Sequence, residues 1–323
     1  MKSDPPNRFM TREPWDLVVI LGPTASGKTR LAARLAHELG SEIISADSRQ
    51  VYRGLDIGAG KDLSEYVFQG RRVPFHLIDV ADPALEEFSV FEFRKRFTAC
   101  FKSLRSRGVL PVLVGGTGLY LESVLLHYAL AEVPENPALR EELEGLDDGA
   151  LERRLFALRP ALHNTTDLRD RGRLIRAIEI AEGSGKGPEA GDPAATVGRP
   201  LVIGVRWDRP VLRERITRRL EKRIRDGMIE EVRGLRRSGV SWEQLHRLGL
   251  EYRWVSLHLQ GRISSDEMFR ALNTRIHQFA KRQETWFRRM ERRGIEIHWI
   301  DGEDYHAVRV LVFRPPPGES PGR

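Results

Sequence analysis

Five consecutive apolar residues, Leu17-Val-Val-Ile-Leu21, lead into a glycine-bearing turn and then a stretch from Lys28 to Leu39 in which Leu31, Leu35 and Leu39 share one helical face. A short unbroken apolar run predicts a strand covered on both faces, and apolar positions four apart predict an amphipathic helix. The same two patterns recur. Glu42 to Ala46, Phe75 to Val80 and Val109 to Val114 are strand candidates, and Phe91 to Arg107 has a helical stripe. Strands alternating with helices predict a parallel α/β sheet.

After Gly115-Gly-Thr-Gly-Leu-Tyr120 the pattern becomes helical and charged, through Pro137 to Leu146, Ala150 to Leu158 and Arg173 to Glu182. This predicts a mainly helical insertion, closed by the Gly- and Pro-rich run 183–193, which has nothing to pack and should be mobile. Strand character returns from Pro200 to Trp207. Helical stretches follow over Arg209 to Asp226, Ile229 to Ser238 and Ser265 to Arg293, and then a strand from Ile295 to Ile300. The tail, ending Arg314-Pro-Pro-Pro-Gly-Glu-Ser-Pro-Gly-Arg323, cannot bury enough apolar surface to offset its ordering entropy. The expected organisation is an α/β core over 14–128, a helical insertion over 129–199, the core continued over 200–301, and a mostly disordered tail over 302–323. No internal repeat is present.

Composition adds exclusions. The single cysteine, Cys100 of 323 residues, excludes a disulfide framework and a Cys-rich zinc module. The first fifteen residues are polar, and no run approaches the ~18 apolar residues of a membrane span. A cytoplasmic protein without membrane contact is expected. Charge is uneven: Val205 to Arg293 holds 23 Lys or Arg against 12 Asp or Glu, an excess of 11, while the whole chain nets +7, leaving the remainder at −4. A basic half of this extent suits a polyanion such as nucleic acid, although mixed charge on helices also describes a solvated surface.

The first turn carries the most specific chemistry. Gly22-Pro-Thr-Ala-Ser-Gly-Lys-Thr29 matches G-x-x-x-x-G-K-[ST] between a strand and a helix, the setting of a phosphate-binding loop. In such a loop backbone N–H groups wrap phosphate oxygens, Lys28 neutralises them and the Thr29 hydroxyl ligates Mg²⁺. Gly22, Pro23, Thr24, Ala25, Ser26, Gly27, Lys28 and Thr29 are therefore the candidate polyphosphate-binding residues. The motif alone leaves the polyphosphate open, ATP included.

A second cluster, Ala46-Asp-Ser-Arg-Gln-Val-Tyr-Arg-Gly-Leu-Asp-Ile-Gly58, follows the second strand candidate. Ligands gather at the carboxyl ends of strands in an open parallel sheet, which puts Asp47 across a crevice from the phosphate loop. There its carboxylate can serve as a general base, hold Mg²⁺ through water, or cap the next turn. Gly115-Gly-Thr-Gly is a third turn at the same edge, with Thr117 offering a hydroxyl.

These motifs, with Lys61, Leu113 to Tyr120 and Ala280-Lys-Arg-Gln-Glu-Thr-Trp286, resemble in order the signatures of the bacterial isopentenyl-tRNA transferase family, the tRNA dimethylallyltransferases. The resemblance runs from about Leu17 to about Ile300. It implies a P-loop NTPase-like sheet and transfer of a dimethylallyl group from dimethylallyl diphosphate to N6 of adenosine 37 of tRNA. It further implies Mg²⁺ as cofactor, the tRNA anticodon loop as partner and a monomeric enzyme. The implied catalytic residues are Asp47 as base, Thr24, Lys28 and Thr117. The implied RNA contacts are Asp47, Ser48, Arg49, Gln50, Thr117, Arg140, Arg173, Arg176, Tyr252, Arg253, Lys281, Arg282 and Gln283.

Two stretches depart from the family pattern. Asn164-Thr-Thr-Asp-Leu-Arg-Asp-Arg-Gly-Arg173 is longer than Asn-Asp-x-x-Arg and has Gly172 where a Gln is common, and Glu251-Tyr-Arg253 stands where Gly-Tyr-[Arg/Lys] is usual. Glu251 would repel RNA unless it accepts a base N–H or pairs with an arginine. From the residues alone, Arg173 and Arg176 also read as a solvated stripe, and Trp242, Trp254, Trp286 and Phe287 as core or as stacking platforms. His277 has no second ligand at i+4 and is not expected to bind metal. The competing functions are an adenylate isopentenyltransferase, a P-loop small-molecule kinase and a non-catalytic RNA-binding protein. The basic half, the Asp-Ser-Arg-Gln motif and the intact Asp47, Lys28 and Thr29 respectively disfavour them.

Overall fold

A computed structural model describes residues 15–85, 88–128, 130, 133–159, 171–183 and 197–313. The first part of the chain forms β1 (Leu17–Leu21), α1 (Lys28–Leu39), β2 (Ile43–Ala46), a short hairpin of β3 (Val67–Phe68) and β4 (Arg71–Arg72), β5 (Phe75–His76), α2 (Val90–Ser106), β6 (Val112–Gly115) and α3 (Gly118–Leu125). Three helices follow, α4 (Pro137–Glu144), α5 (Asp148–Leu158) and α6 (Arg171–Gly183). The last part is β7 (Pro200–Arg206), α7 (Arg209–Arg225), α8 (Met228–Arg237), α9 (Trp242–Leu248), α10 (Leu250–Leu259), α11 (Ser265–Arg292), β8 (His298–Asp301) and α12 (Tyr305–Phe313).

Six strands pair in the order β5-β2-β6-β1-β7-β8, every pair parallel. Register places Val18 beside Val112 and Leu201. The unbroken apolar run in β1 has a direct cause, because its alternate residues serve two cores. Leu17, Val19 and Leu21 enter the layer that includes Phe93, Phe97, Leu220 and Phe287. Val18 and Ile20 enter the opposite layer with Leu31, Leu35 and Val308. Each such fully buried side chain contributes roughly 1.5–3 kcal/mol of transfer free energy. The strands therefore form a stiff platform whose carboxyl-end turns carry the polar residues described below.

The chain divides into two compact units, one of Met1–His127 with Ala194–Arg323 and a smaller one of Tyr128–Pro193. The smaller unit has its own core of Leu139, Leu143, Leu151, Leu155, Leu174, Ile175 and Ile178. Two of its helices, α4 and α5, start on side-chain caps: Asn136 accepts from the Leu139 N–H, and Asp147 from the Ala150 N–H.

The structure corrects several elements expected from pattern. The strand expected over 75–80 stops at His76, because Leu77 and Asp79 take left-handed backbone with φ of 63° and 57°. Gly118–Leu125 continues as a helix where only a turn was expected, and α9 and α10 occupy a stretch given no element. Within 302–323, Tyr305–Phe313 is a helix rather than a disordered tail, since Tyr305, Val308 and Val312 are buried in the core that also holds α1. The run 184–193 and the end 314–323 lie outside the described residues.

Candidate active site

The phosphate loop joins β1 to α1. Ala25 and Gly27 both take left-handed backbone, with φ of 64° and 85°, so the chain curls before the helix begins at Lys28. No side chain caps α1, which leaves its first N–H groups for an anion. The outside of the loop is braced: Arg215 Nε donates to the Ala25 carbonyl and Trp207 Nε1 to the Ser26 carbonyl, each at 2.9 Å. The Lys28 ammonium donates to the Pro23 carbonyl at 3.2 Å. Burial pushes its pKa down to about 8, and the charge of Asp47 works against that shift. Thr29 follows in the first turn of α1.

At the end of β2, Asp47 Oδ1 accepts the Arg49 N–H at 2.9 Å, a side-chain turn that fixes the carboxylate. Thr117 Oγ1 accepts the Ser48 N–H at 3.0 Å and so ties this turn to the one after β6. Gly115 permits that approach, because a Cβ there would lie 2.2 Å from the Ala46 carbonyl oxygen. The glycine makes room for protein backbone.

Two arginines missed by sequence reading stand against the phosphate loop. Arg219 Nη1 donates to Thr24 Oγ1 at 3.4 Å and its Nη2 to the Gly60 carbonyl at 3.2 Å. Arg223 donates to the Gly58 carbonyl at 3.2 Å and pairs with Glu251 at 3.1 Å. Thr24, Ala25, Arg219 and Arg223 line a small cleft with Ile216, Leu220 and Ile276. The Arg223 charge, followed by burial, pushes the Arg219 pKa down to about 10. Arg215, Arg219 and Arg223 recur every fourth residue along α7, and that spacing is the signal in the sequence. Like charges so spaced cost an exposed helix roughly 0.2–0.5 kcal/mol per pair unless something opposite compensates.

Other candidates fall into three groups. Gln50 is buried, with Ser45 Oγ donating to its Oε1 and its Nε2 donating to the Gly60 carbonyl. Gln283, also buried, accepts the Thr24 N–H and donates to the Gly116 carbonyl, both at 2.8 Å. With both ends of its amide on backbone, Gln283 holds two turns together. Tyr252 is likewise buried, its hydroxyl accepting the Ala59 N–H. Lys61 is enclosed with Asp56 and Asp79.

Arg253, Lys281 and Arg282 are exposed, and Arg49 reaches the Arg247 carbonyl. Within the smaller unit, Arg140 and Arg176 both bond the buried carboxylate of Glu179, while Arg173 is exposed. The stretch 164–170 lies outside the described residues. Phe287 is core, and Trp242, Trp254 and Trp286 pack partly buried against it. His277 faces Thr217 and the Arg213 carbonyl, and no metal-binding group of three His, Cys, Asp or Glu occurs among the described residues.

The IPP transferase family model matches residues 50–290. The chain belongs to the IPP transferase family. Similar relatives include tRNA dimethylallyltransferase 1 of Syntrophus aciditrophicus, 58% identical over 91% of this chain and 96% of that one. Another is tRNA dimethylallyltransferase 2 of Syntrophotalea carbinolica, 59% identical over 89% and 94%. Among solved structures, the tRNA isopentenylpyrophosphate transferase of Bacillus halodurans is 34% identical, covers 88% of this chain and 89% of its own, and superposes with a TM-score of 0.62. A eukaryotic dimethylallyltransferase acting on tRNA shares the fold at a TM-score of 0.71 and 23% identity, over 91% of this chain and 76% of that one. As a member of the IPP transferase family the chain has its six-stranded parallel sheet and flanking helices in common with these structures. No helix among its described residues is long and apolar enough to cross a membrane.

Proposed function

We propose that this chain transfers the dimethylallyl group of dimethylallyl diphosphate to N6 of the adenosine at position 37 of tRNA, beside the anticodon, releasing diphosphate. The observation that carries the reading is a set of three cations at the phosphate loop: Lys28 belongs to it, Arg219 and Arg223 line the cleft beside Thr24 and Ala25, and Lys28 and Arg219 both feel the Asp47 carboxylate. Burial depresses the pKa of Lys28 and the Arg223 charge that of Arg219, so a polyanion among them favours both charged forms. A diphosphate fits that requirement, and it is the leaving group of the transfer.

In the reaction N6 attacks the allylic C1, the N–C bond forms as the C1–O bond breaks, and the bonding pair departs with diphosphate. Loop N–H groups, Lys28, Arg219 and Arg223 stabilise the growing charge on that leaving group. The adenine amine is a weak nucleophile, and Asp47 takes its proton during attack. The Arg49 N–H holds the Asp47 carboxylate in place, and Thr117 fixes the neighbouring Ser48. Thr24, bonded to Arg219 and to Gln283, sets the loop against the cations.

The Thr29 hydroxyl, in the first turn of α1, would be the protein ligand of a Mg²⁺ ion that takes its other oxygens from substrate phosphates and water. When bound, the ion neutralises further charge on the departing diphosphate. For RNA, the exposed Arg253, Lys281, Arg282 and Arg173 supply positive charge, and Ser48 and Arg49 flank the base-accepting turn. Glu251 does not oppose RNA as a bare anion, because Arg223 pairs with it. Adenine must leave its stack to reach Asp47, at a cost of a few kcal/mol.

The test is incubation of the protein and Mg²⁺ with labelled dimethylallyl diphosphate and, in parallel, total tRNA or AMP. Label is expected in tRNA and not in AMP. Label in AMP alone would replace the RNA acceptor with a free nucleotide, and label in neither would remove the transferase reading.

A further inference from the structure

We propose that Glu231 is a positioning residue of the diphosphate site, acting through the turn 56–60 on Arg219 and Arg223; this rests on reading those arginines as diphosphate-binding groups. Glu231 belongs to α8, and among the described residues it makes no hydrogen bond or ion pair to the phosphate loop or to either guanidinium group. Its Oε2 accepts the N–H of Asp56 at 3.0 Å and of Ile57 at 2.5 Å, and its Oε1 accepts the Gly58 N–H at 3.0 Å. The Tyr252 hydroxyl donates to the same Oε1 at 2.9 Å and accepts the next N–H, that of Ala59, at 2.9 Å. Four consecutive N–H groups thus converge on one carboxylate and one phenol, a backbone nest closed around an anion.

That convergence settles where the other side of the turn points. With N–H groups 56 to 59 gathered on Glu231 and Tyr252, the carbonyls of Gly58 and Gly60 are left to accept from Arg223 and Arg219, each at 3.2 Å. The fit is close: a Cβ on Gly60 would lie 1.7 Å from Arg223 Nη2. The two guanidinium groups repel each other, as the depressed pKa of Arg219 records. Two aimed carbonyls and Glu251 hold them side by side, with Arg219 reaching Thr24. Removing the Glu231 charge loosens the nest, frees the carbonyls and lets the arginines spread from the geometry that matches a diphosphate. Groups coupled in one hydrogen-bond network show non-additive mutational effects, and that property separates this role from simple support of the fold.

The test is calorimetric binding of inorganic diphosphate, with Mg²⁺ present, to the full chain and to the variants Glu231→Gln, Tyr252→Phe, Arg219→Ala and Glu231→Gln/Arg219→Ala, together with tRNA affinity and thermal midpoint. Glu231→Gln is expected to weaken diphosphate binding about tenfold and Tyr252→Phe about threefold, with tRNA affinity unchanged; in the double variant the loss falls short of the product of the single losses. If Arg219→Ala weakens binding while Glu231→Gln does not, or if the two losses multiply in full, the positioning role is overturned and the diphosphate site stands. If Arg219→Ala itself leaves diphosphate affinity unchanged, the reading of the site fails and the inference with it. Should Glu231→Gln not fold, Tyr252→Phe alone and combined with Arg219→Ala makes the same comparison, since it removes only one hydroxyl.

Discussion

Thr24 and Gln283 are separated by 259 positions in the chain and joined by one hydrogen bond, the Thr24 N–H donating to Gln283 Oε1 at 2.8 Å. The same side chain donates to the Gly116 carbonyl, so α11 straps the turn after β1 to the turn after β6. Gln283→Ala is expected to lower kcat/KM for dimethylallyl diphosphate by at least about tenfold while changing tRNA affinity by less than about threefold. The opposite split, with tRNA binding lost and the diphosphate step intact, would return Gln283 to an RNA contact.

Lys28 gives the site a pH dependence whose sign can be worked out. In the free protein its ammonium loses the proton as pH rises through about 8, well below the ordinary lysine value of 10.5. A bound diphosphate favours the charged form and raises that pKa. Binding therefore takes up protons near pH 8, and affinity falls by up to about tenfold per pH unit above it. Calorimetry of inorganic diphosphate in buffers of different ionisation enthalpy reads the proton uptake. The depressed value also means that the folded chain binds fewer protons than the unfolded chain between about 8 and 10.5, so Lys28 makes stability rise with pH across that window.

The arginines of the smaller unit should separate by function. Arg176 and Arg140 neutralise Glu179, which is only 1% exposed, so Arg176→Ala leaves a buried carboxylate short of a partner and should cost about 1–3 kcal/mol of stability. Arg173 is exposed, and Arg173→Ala should cost less stability than Arg176→Ala but lower the salt slope of tRNA binding by about one. Thermal unfolding and a salt titration of tRNA affinity, run on both variants, distinguish the two roles.

Gly115 offers a check on the geometry of the sheet edge. Gly115→Ala would place a Cβ 2.2 Å from the Ala46 carbonyl oxygen, where only backbone can yield. The variant should lose more than about 2 kcal/mol of stability, read as the denaturant midpoint, along with transfer activity.

What the sequence made legible is local. The phosphate loop, the Asp47 turn and the parallel strands each depend on residues within a few positions of one another, so motif and periodicity are enough. Leu77 and Asp79 escaped notice because Lys61, bonded to Asp79 from 18 positions away, holds a backbone shape that the apolar pattern does not encode. Arg219 and Arg223 were indistinguishable from a solvated stripe until the Gly58 and Gly60 carbonyls were placed against them. Gln283 sits between Lys281, Arg282 and Trp286 in a basic helix, and only its burial shows that its amide turns inward. Tyr305 to Phe313 was masked by the polar, Pro-rich residues that follow it.

In the proposed transfer Asp47 removes the N6 proton while the loop cations hold the leaving group. Single-turnover transfer by Asp47→Ala, with the affinities for inorganic diphosphate and for tRNA measured on the same preparation, tests it most directly. The expected result is loss of transfer by a factor of at least about a hundred with both affinities within about threefold of the parent chain. Undiminished single-turnover transfer would contradict the assignment of the base.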